Sequence, residues 1–73
     1  MKAHKGFTRW LGPLGNCDFC GKPLKGFPKF YDAKTQLGPW ALMCPDCYAH
    51  YGIGLGLGRG QEYATDTRLK LRG

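Results

Sequence analysis

The sequence predicts a small metal-stabilised α+β domain, zinc-ribbon or treble-clef-like, in which a β-hairpin and a short helix surround one four-cysteine zinc site, with flexible basic arms at either end. Three observations carry this reading. The chain has 73 residues, 12 of them Gly and 5 Pro, so it makes a single domain with few side chains left to bury. Its four cysteines fall as two C-x-x-C pairs, Cys17/Cys20 and Cys44/Cys47, separated by 23 residues. Its formal charge is +6. Domains this small generally need disulfides, a metal or a partner to hold them, and the cysteines are the staple at hand.

The longest uninterrupted apolar stretch is residues 40–44, far short of the ~20 needed to cross a bilayer. The basic N-terminus has no apolar h-region of the kind a signal peptide requires. The expected compartment is therefore the cytoplasm, where disulfides are rare, and metal binding becomes the default use of the thiols.

Residues 1–15 read as an extended basic arm. Lys2, Lys5 and Arg9 mix there with Phe7, Trp10, Leu11 and Leu14, no period of 2 or 3.6 persists, and Gly12-Pro13 breaks any helix. Residues 16–63 form the zinc-binding body. It opens on Asn-Cys-Asp-Phe-Cys-Gly-Lys, a tight turn whose closing Gly21 suits a positive φ. Residues 27–31 and 40–44 are short aromatic-rich runs separated by turn formers, an antiparallel hairpin. The stretch from Cys44 to Gly52 then reads as a two-turn helix with Pro45 at its first position, Asp46 in the first turn and a glycine past the end. Cys47 lies in that first turn, where a thiolate is stabilised.

Five glycines alternate from Gly52 to Gly60. In an extended chain they strip one face to bare backbone, so either another segment approaches closely or the run is a loose loop. Residues 64–73 form a basic tail in which Leu69 and Leu71 alternate with Arg68, Lys70 and Arg72, giving a strand one apolar and one basic face.

Two C-x-x-C pairs on a hairpin-sized spacer can supply four sulfurs in a tetrahedron at about 2.3 Å from one zinc ion, and a complete set of four thiolates leaves no open position for a substrate. The predicted ligands are Cys17, Cys20, Cys44 and Cys47, holding one structural Zn2+. A thioredoxin-like use of either pair needs a βαβ context that this chain cannot provide, and paired disulfides need an oxidising compartment. His4 and His50 are left over from a completed set; His50 suits the C-terminal end of its helix. The glycine run fits neither G-x-G-x-x-G nor a P-loop. The chain has no Ser and no recognisable carboxylate pair, so an enzyme is not expected.

Four thiolates and one Zn2+ together remove two charges, leaving about +4. That excess favours anionic partners. Basic residues gather as Lys2, Lys5, Arg9; Lys22, Lys25, Lys29; and Arg68, Lys70, Arg72, interleaved with Phe7, Trp10, Phe27, Phe30 and Tyr31, as in proteins that combine phosphate contacts with stacking platforms. The middle cluster is read as a solvated outer face. The partner-binding candidates are Lys2, Lys5, Phe7, Arg9 and Trp10 in one arm and Arg68, Lys70 and Arg72 in the other.

The stretch from Cys17 to Tyr63, with its Cys-Asp-Phe-Cys-Gly-Lys and Cys-Pro-Asp-Cys turns and its Gly-Leu-Gly-Leu-Gly-Arg-Gly run, resembles small zinc-ribbon proteins encoded by bacteriophages. Length, charge and arms are similar to the small transcription regulators of lytic Xanthomonas phages. That resemblance implies a cytoplasmic monomer of the infected cell without enzymatic activity, binding host RNA polymerase on its β′ subunit near the RNA exit channel. It further implies inhibition of initiation at host promoters and antitermination. The residues themselves leave open a second reading, a zinc ribbon that contacts RNA or DNA directly.

Overall fold

The computed structural model describes residues 9–56 and 58–73 of the chain. In chain order it contains a 3-10 turn (Leu24–Gly26), β1 (Lys29–Lys34), β2 (Trp40–Met43), α1 (Pro45–Tyr51), β3 (Gly60–Ala64) and β4 (Lys70–Arg72). The strands form one antiparallel sheet in the order β2-β1-β3-β4. No helix among the described residues is long and apolar enough to cross a membrane.

The expected hairpin is present, with Tyr31 opposite Met43 and Lys34 opposite Trp40. Its first strand starts later than the aromatic run and continues through Asp32 and Ala33, because these residues have partners on both sides: Asp32 pairs with Leu42 of β2 and with Gln61 of β3. The connection is correspondingly short. Thr35 closes it, its N–H and hydroxyl both donating to the Pro39 carbonyl at 3.2 and 2.8 Å.

β2 and β3 run in the same direction on either side of β1, so the chain between them must cross one face of the sheet. Helix α1 and the glycine run make that crossing. The helix begins at Pro45 with Cys44 as N-cap, and the Gly52 N–H closes it onto the Tyr48 carbonyl at 2.8 Å. Gly52 is extended, not left-handed. Its lack of a side chain serves packing: a Cβ there would lie 2.4 Å from the Tyr48 ring. At Gly60, the other end of the run, an added Cβ would crowd the Ala33 Cβ of β1 just as closely. The close approach allowed for by the alternation thus occurs at its two ends. At Gly58 a Cβ would meet open space.

Both faces of β1 are covered, which is why five of its residues, Lys29 included, escape full exposure. One face gathers Trp10, Leu14, Leu24, Phe30, Leu42 and Tyr63 with the thiols of Cys17 and Cys44. The other carries Tyr31, Ala33, Ala41 and Met43 beneath Tyr48 and Leu55, with Tyr31 and Tyr48 stacked at 4.1 Å between ring centroids.

The arms differ from expectation. The sequence places Trp10 in an extended arm with no apolar face, yet the residue is 7% exposed and meets Phe30 and Tyr63 edge-on at 5.5 and 5.6 Å. It is carried there by backbone pairing: Arg9 bridges Leu69, and the Trp10 N–H donates to the Arg68 carbonyl at 2.7 Å. The tail is likewise paired rather than free, because β4 adds to the edge of β3 through Glu62 and Tyr63. Its apolar side is not buried: Leu69 and Leu71 remain exposed.

Candidate metal centre

The first thiol pair sits on a turn that hydrogen bonds its own backbone. The Gly21 N–H donates to the Cys17 carbonyl and the Cys17 N–H to the Lys22 carbonyl, both at 2.9 Å. Gly21 takes φ +77, the left-handed position expected of it. Asp18 fastens this turn to the sheet: its N–H donates to the Leu42 carbonyl at 2.8 Å, and its Oδ2 accepts from the Leu42 N–H at 2.7 Å. The second pair comes from the end of β2 and the first turn of α1. The register of the turn on β2 therefore sets the register of the four sulfurs.

Cys17, Cys20, Cys44 and Cys47 come together with all four Sγ atoms within 4.8 Å of one another, and Cys20 and Cys44 are 3.7 Å apart. A tetrahedral ion bonded to thiolate sulfur at about 2.3 Å requires edges of about 3.8 Å. The donor set fits one metal ion. All four cysteines are free thiols, none in a disulfide.

The electrostatics of the cluster are unequal. Burial opposes ionisation of Cys17, but the backbone N–H groups of Cys20, Cys44 and Phe19 outweigh it and lower the thiol to about 6. Burial first of all pushes Cys44 upward, against hydrogen bonds from Cys47; Cys47 is pushed upward by burial and then by the sulfurs of Cys17, Cys44 and Cys20, the reverse of the stabilised thiolate expected of its place in the first helical turn. A cation held among the sulfurs would offset both the burial of the thiolates and their mutual repulsion.

His50 lies outside this set. It is exposed in the last turn of α1, its Nδ1 2.9 Å from the Asp46 carbonyl. Beside the thiols, Phe19 of the first turn stacks on Tyr51 of the helix at 4.3 Å, and both rings remain partly exposed.

Of the partner-binding candidates, Lys2, Lys5 and Phe7 lie outside the described residues. Arg9 is exposed and Trp10 is buried in the core. Arg68 and Lys70 are half-buried at β4 and its approach. Arg72 is engaged within the molecule: its Nε and Nη2 each donate to Glu62 at 2.8 Å.

Glu62 has no role predicted from the sequence. It is 2% exposed, accepts a further hydrogen bond from the Tyr31 hydroxyl, and has Lys29 Nζ at 3.6 Å. The Arg72 hydrogen bonds, against the opposing effect of burial, bring its carboxyl down to about 2. Tyr31 is pushed up to about 12 by burial and by Glu62. The only sequence signal for this group is a carboxylate next to an aromatic residue that faces a three-cation tail. Asp18 is equally unanticipated, although an acid inside a C-x-x-C turn has backbone N–H groups within reach.

No family model, curated protein or solved structure matches the chain.

Proposed function

We propose that the protein is a non-enzymatic, phage-type transcription regulator that docks on host RNA polymerase, inhibits initiation at host promoters and promotes antitermination. The observation that supports it best is the complete four-thiol donor set. Four sulfurs of one small domain converge on a point, and such a set fills the coordination sphere of zinc, which acts there as a structural cross-link. The centre is a scaffold, and the work falls to the surface it holds. That surface is basic, consistent with a partner that carries nucleic acid.

The contact elements in this reading are the N-terminal basic residues with Arg9, and Arg68 and Lys70 at β4, on polymerase β′ near the RNA exit. Zinc would be held by Cys17, Cys20, Cys44 and Cys47. Trp10 holds the N-terminal segment against the sheet instead of meeting the partner.

Purified zinc-loaded protein and bacterial RNA polymerase test this directly. Co-elution after nuclease treatment is expected, with reduced promoter-dependent product and increased read-through of an intrinsic terminator. Loss of co-elution on nuclease treatment would instead support direct nucleic-acid binding. A binder of bare nucleic acid also loses affinity steeply with salt, by a log–log slope of about −0.7 to −0.9 per phosphate neutralised.

A further inference from the structure

A cleft of about 360 Å³ lies where β1 begins and the β3–β4 connection turns, lined by Lys25, Phe27, Pro28, Thr65, Asp66 and Arg68. Its size falls near the lower end of the range of about 300–1,000 Å³ occupied by ligand sites. The walls come from separate segments, locked together where the Thr65 N–H donates to the Pro28 carbonyl at 3.0 Å.

Two features of this cleft are unfavourable for folding alone. Thr65 is 7% exposed, yet its hydroxyl has no hydrogen-bond partner; valine would fill the same space without an orphaned polar group. Arg68 takes φ +66, the one non-glycine residue with positive φ among those described. Glycine or asparagine is the usual occupant of such a turn position, and a long side chain there is strained. The strained residue brings its guanidinium back over the turn to the Thr65 carbonyl, which leaves most of its five N–H donors for other acceptors. Strain of this kind tends to gather at ligand sites.

We propose that this cleft binds one nucleotide unit, a flat base with its ribose and phosphate. Phe27 is a half-buried ring packed against the core, a fixed platform on which a base can stack irrespective of its identity. Lys25 and Arg68 offer cationic donors to the phosphate. Thr65 supplies a hydroxyl, and Asp66 accepts from ribose hydroxyls or a base N–H. One Asp66 oxygen already accepts the Thr67 N–H at 2.8 Å, which orients the carboxylate. A simple anion site would gain nothing from a carboxylate and an aromatic ring; a nucleotide uses all of these groups. The unit can belong to a free mononucleotide or to a single strand.

The inference goes beyond the polymerase reading, and its test contains no polymerase, so failure of one leaves the other standing. The full metal-loaded chain, labelled with 15N, is titrated separately with AMP, UMP, inorganic phosphate and a short single-stranded oligonucleotide. Saturable amide shifts are expected for the nucleotides at Phe27, Thr65, Asp66 and Arg68, with weaker binding of phosphate. Arg68→Gly should weaken nucleotide binding about tenfold, as loss of hydrogen bonds to a charged group does, while raising the melting temperature by relieving the positive φ. Thr65→Val should weaken it severalfold without loss of fold. Equal or tighter binding of a mononucleotide than of the strand identifies the free source, and tighter strand binding sensitive to the same variants identifies the strand. Absence of saturable shifts at these residues, phosphate binding as tightly as AMP, or unchanged affinity in Arg68→Gly overturns the proposal.

Discussion

The thiol end of the molecule and its β3–β4 side solve the same problem by different means. At the thiol end, a turn and a helix that bury few side chains are held by a donor set: four sulfurs within 4.8 Å, and two hydrogen bonds between Asp18 and Leu42. On the β3–β4 side the described residues gather no second cluster of metal-binding groups. There a buried carboxylate gathers Arg72, Tyr31 and Lys29, and Trp10 closes over Phe30 and Tyr63. With a metal on the four thiols, the first region would depend on one multivalent centre and be lost as a unit. The second depends on several contacts of ordinary strength, each of which can be removed alone.

The largest expected effect is therefore metal removal. Metal binding at such a site is folding free energy, of order 10 kcal/mol or more, which matches or exceeds the total stability of a small domain, about 5–15 kcal/mol. Chelation at pH 7, or Cys44→Ser, should collapse amide chemical-shift dispersion throughout the sheet. If β3–β4 dispersion survived chelation, the two regions would be energetically separate and the sheet would fold without the metal.

Trp10→Ala comes next. Removing a large buried aromatic side chain costs about 3–5 kcal/mol, and loss of the ring opens the face of Phe30 and Tyr63. Denaturant unfolding of the metal-loaded protein should show a lower midpoint, with the metal still bound in the native baseline. An unchanged midpoint would return residue 10 to a dispensable arm.

Glu62→Gln should cost about 2 kcal/mol, the scale of hydrogen bonds to a charged partner. Its pH dependence sharpens the assignment. The folded carboxyl sits at about 2, below its ordinary value of 4.5, so the ionised form stabilises the fold fully above 4.5 and loses that contribution as pH falls from there toward 2. The difference between wild type and Glu62→Gln, measured by urea unfolding with excess metal over the pH range in which both stay metal-loaded, should be constant from pH 7 to 5 and begin to narrow below 4.5. A constant difference at lower pH would show that the charge is not what matters.

The smallest effects separate the glycines. Gly60→Ala places a Cβ against Ala33 on the partner strand and should cost about 1–3 kcal/mol, as overpacking does. Gly58→Asn meets open space at φ +80, a conformation asparagine tolerates, and should shift the melting temperature little. Equal effects at both positions would mean that the close pairing of Gly60 with Ala33 does not constrain the run.

The asymmetry between the regions is also one of legibility. Cys17, Cys20, Cys44 and Cys47 were readable because their function lies in residue type and spacing, and Pro45 and Gly21 mark their positions by local backbone preference. The hairpin was readable because aromatic runs flank a cluster of turn formers. β3 was not, since Gly-Gln-Glu-Tyr-Ala has little intrinsic strand preference; it is a strand because β1 offers it an edge. The same holds for Trp10, whose surroundings on the chain are basic and irregular and whose burial depends on a sheet face assembled from Phe30, Leu42 and Tyr63.

Chemistry that acts over a few residues is thus written in the chain directly: two thiol turns, the helix between Pro45 and Gly52, the hairpin, and the basic balance of charge. The pairings that join distant segments arise only in the assembled sheet. Glu62 meets Arg72 because β4 docks on β3, Gly60 is required because β3 sets it directly opposite Ala33 of β1, and Arg68 shares a cleft with Phe27 because the β3–β4 turn lies beside the start of β1. Such contacts depend on sheet order and register, which no short window of residues encodes.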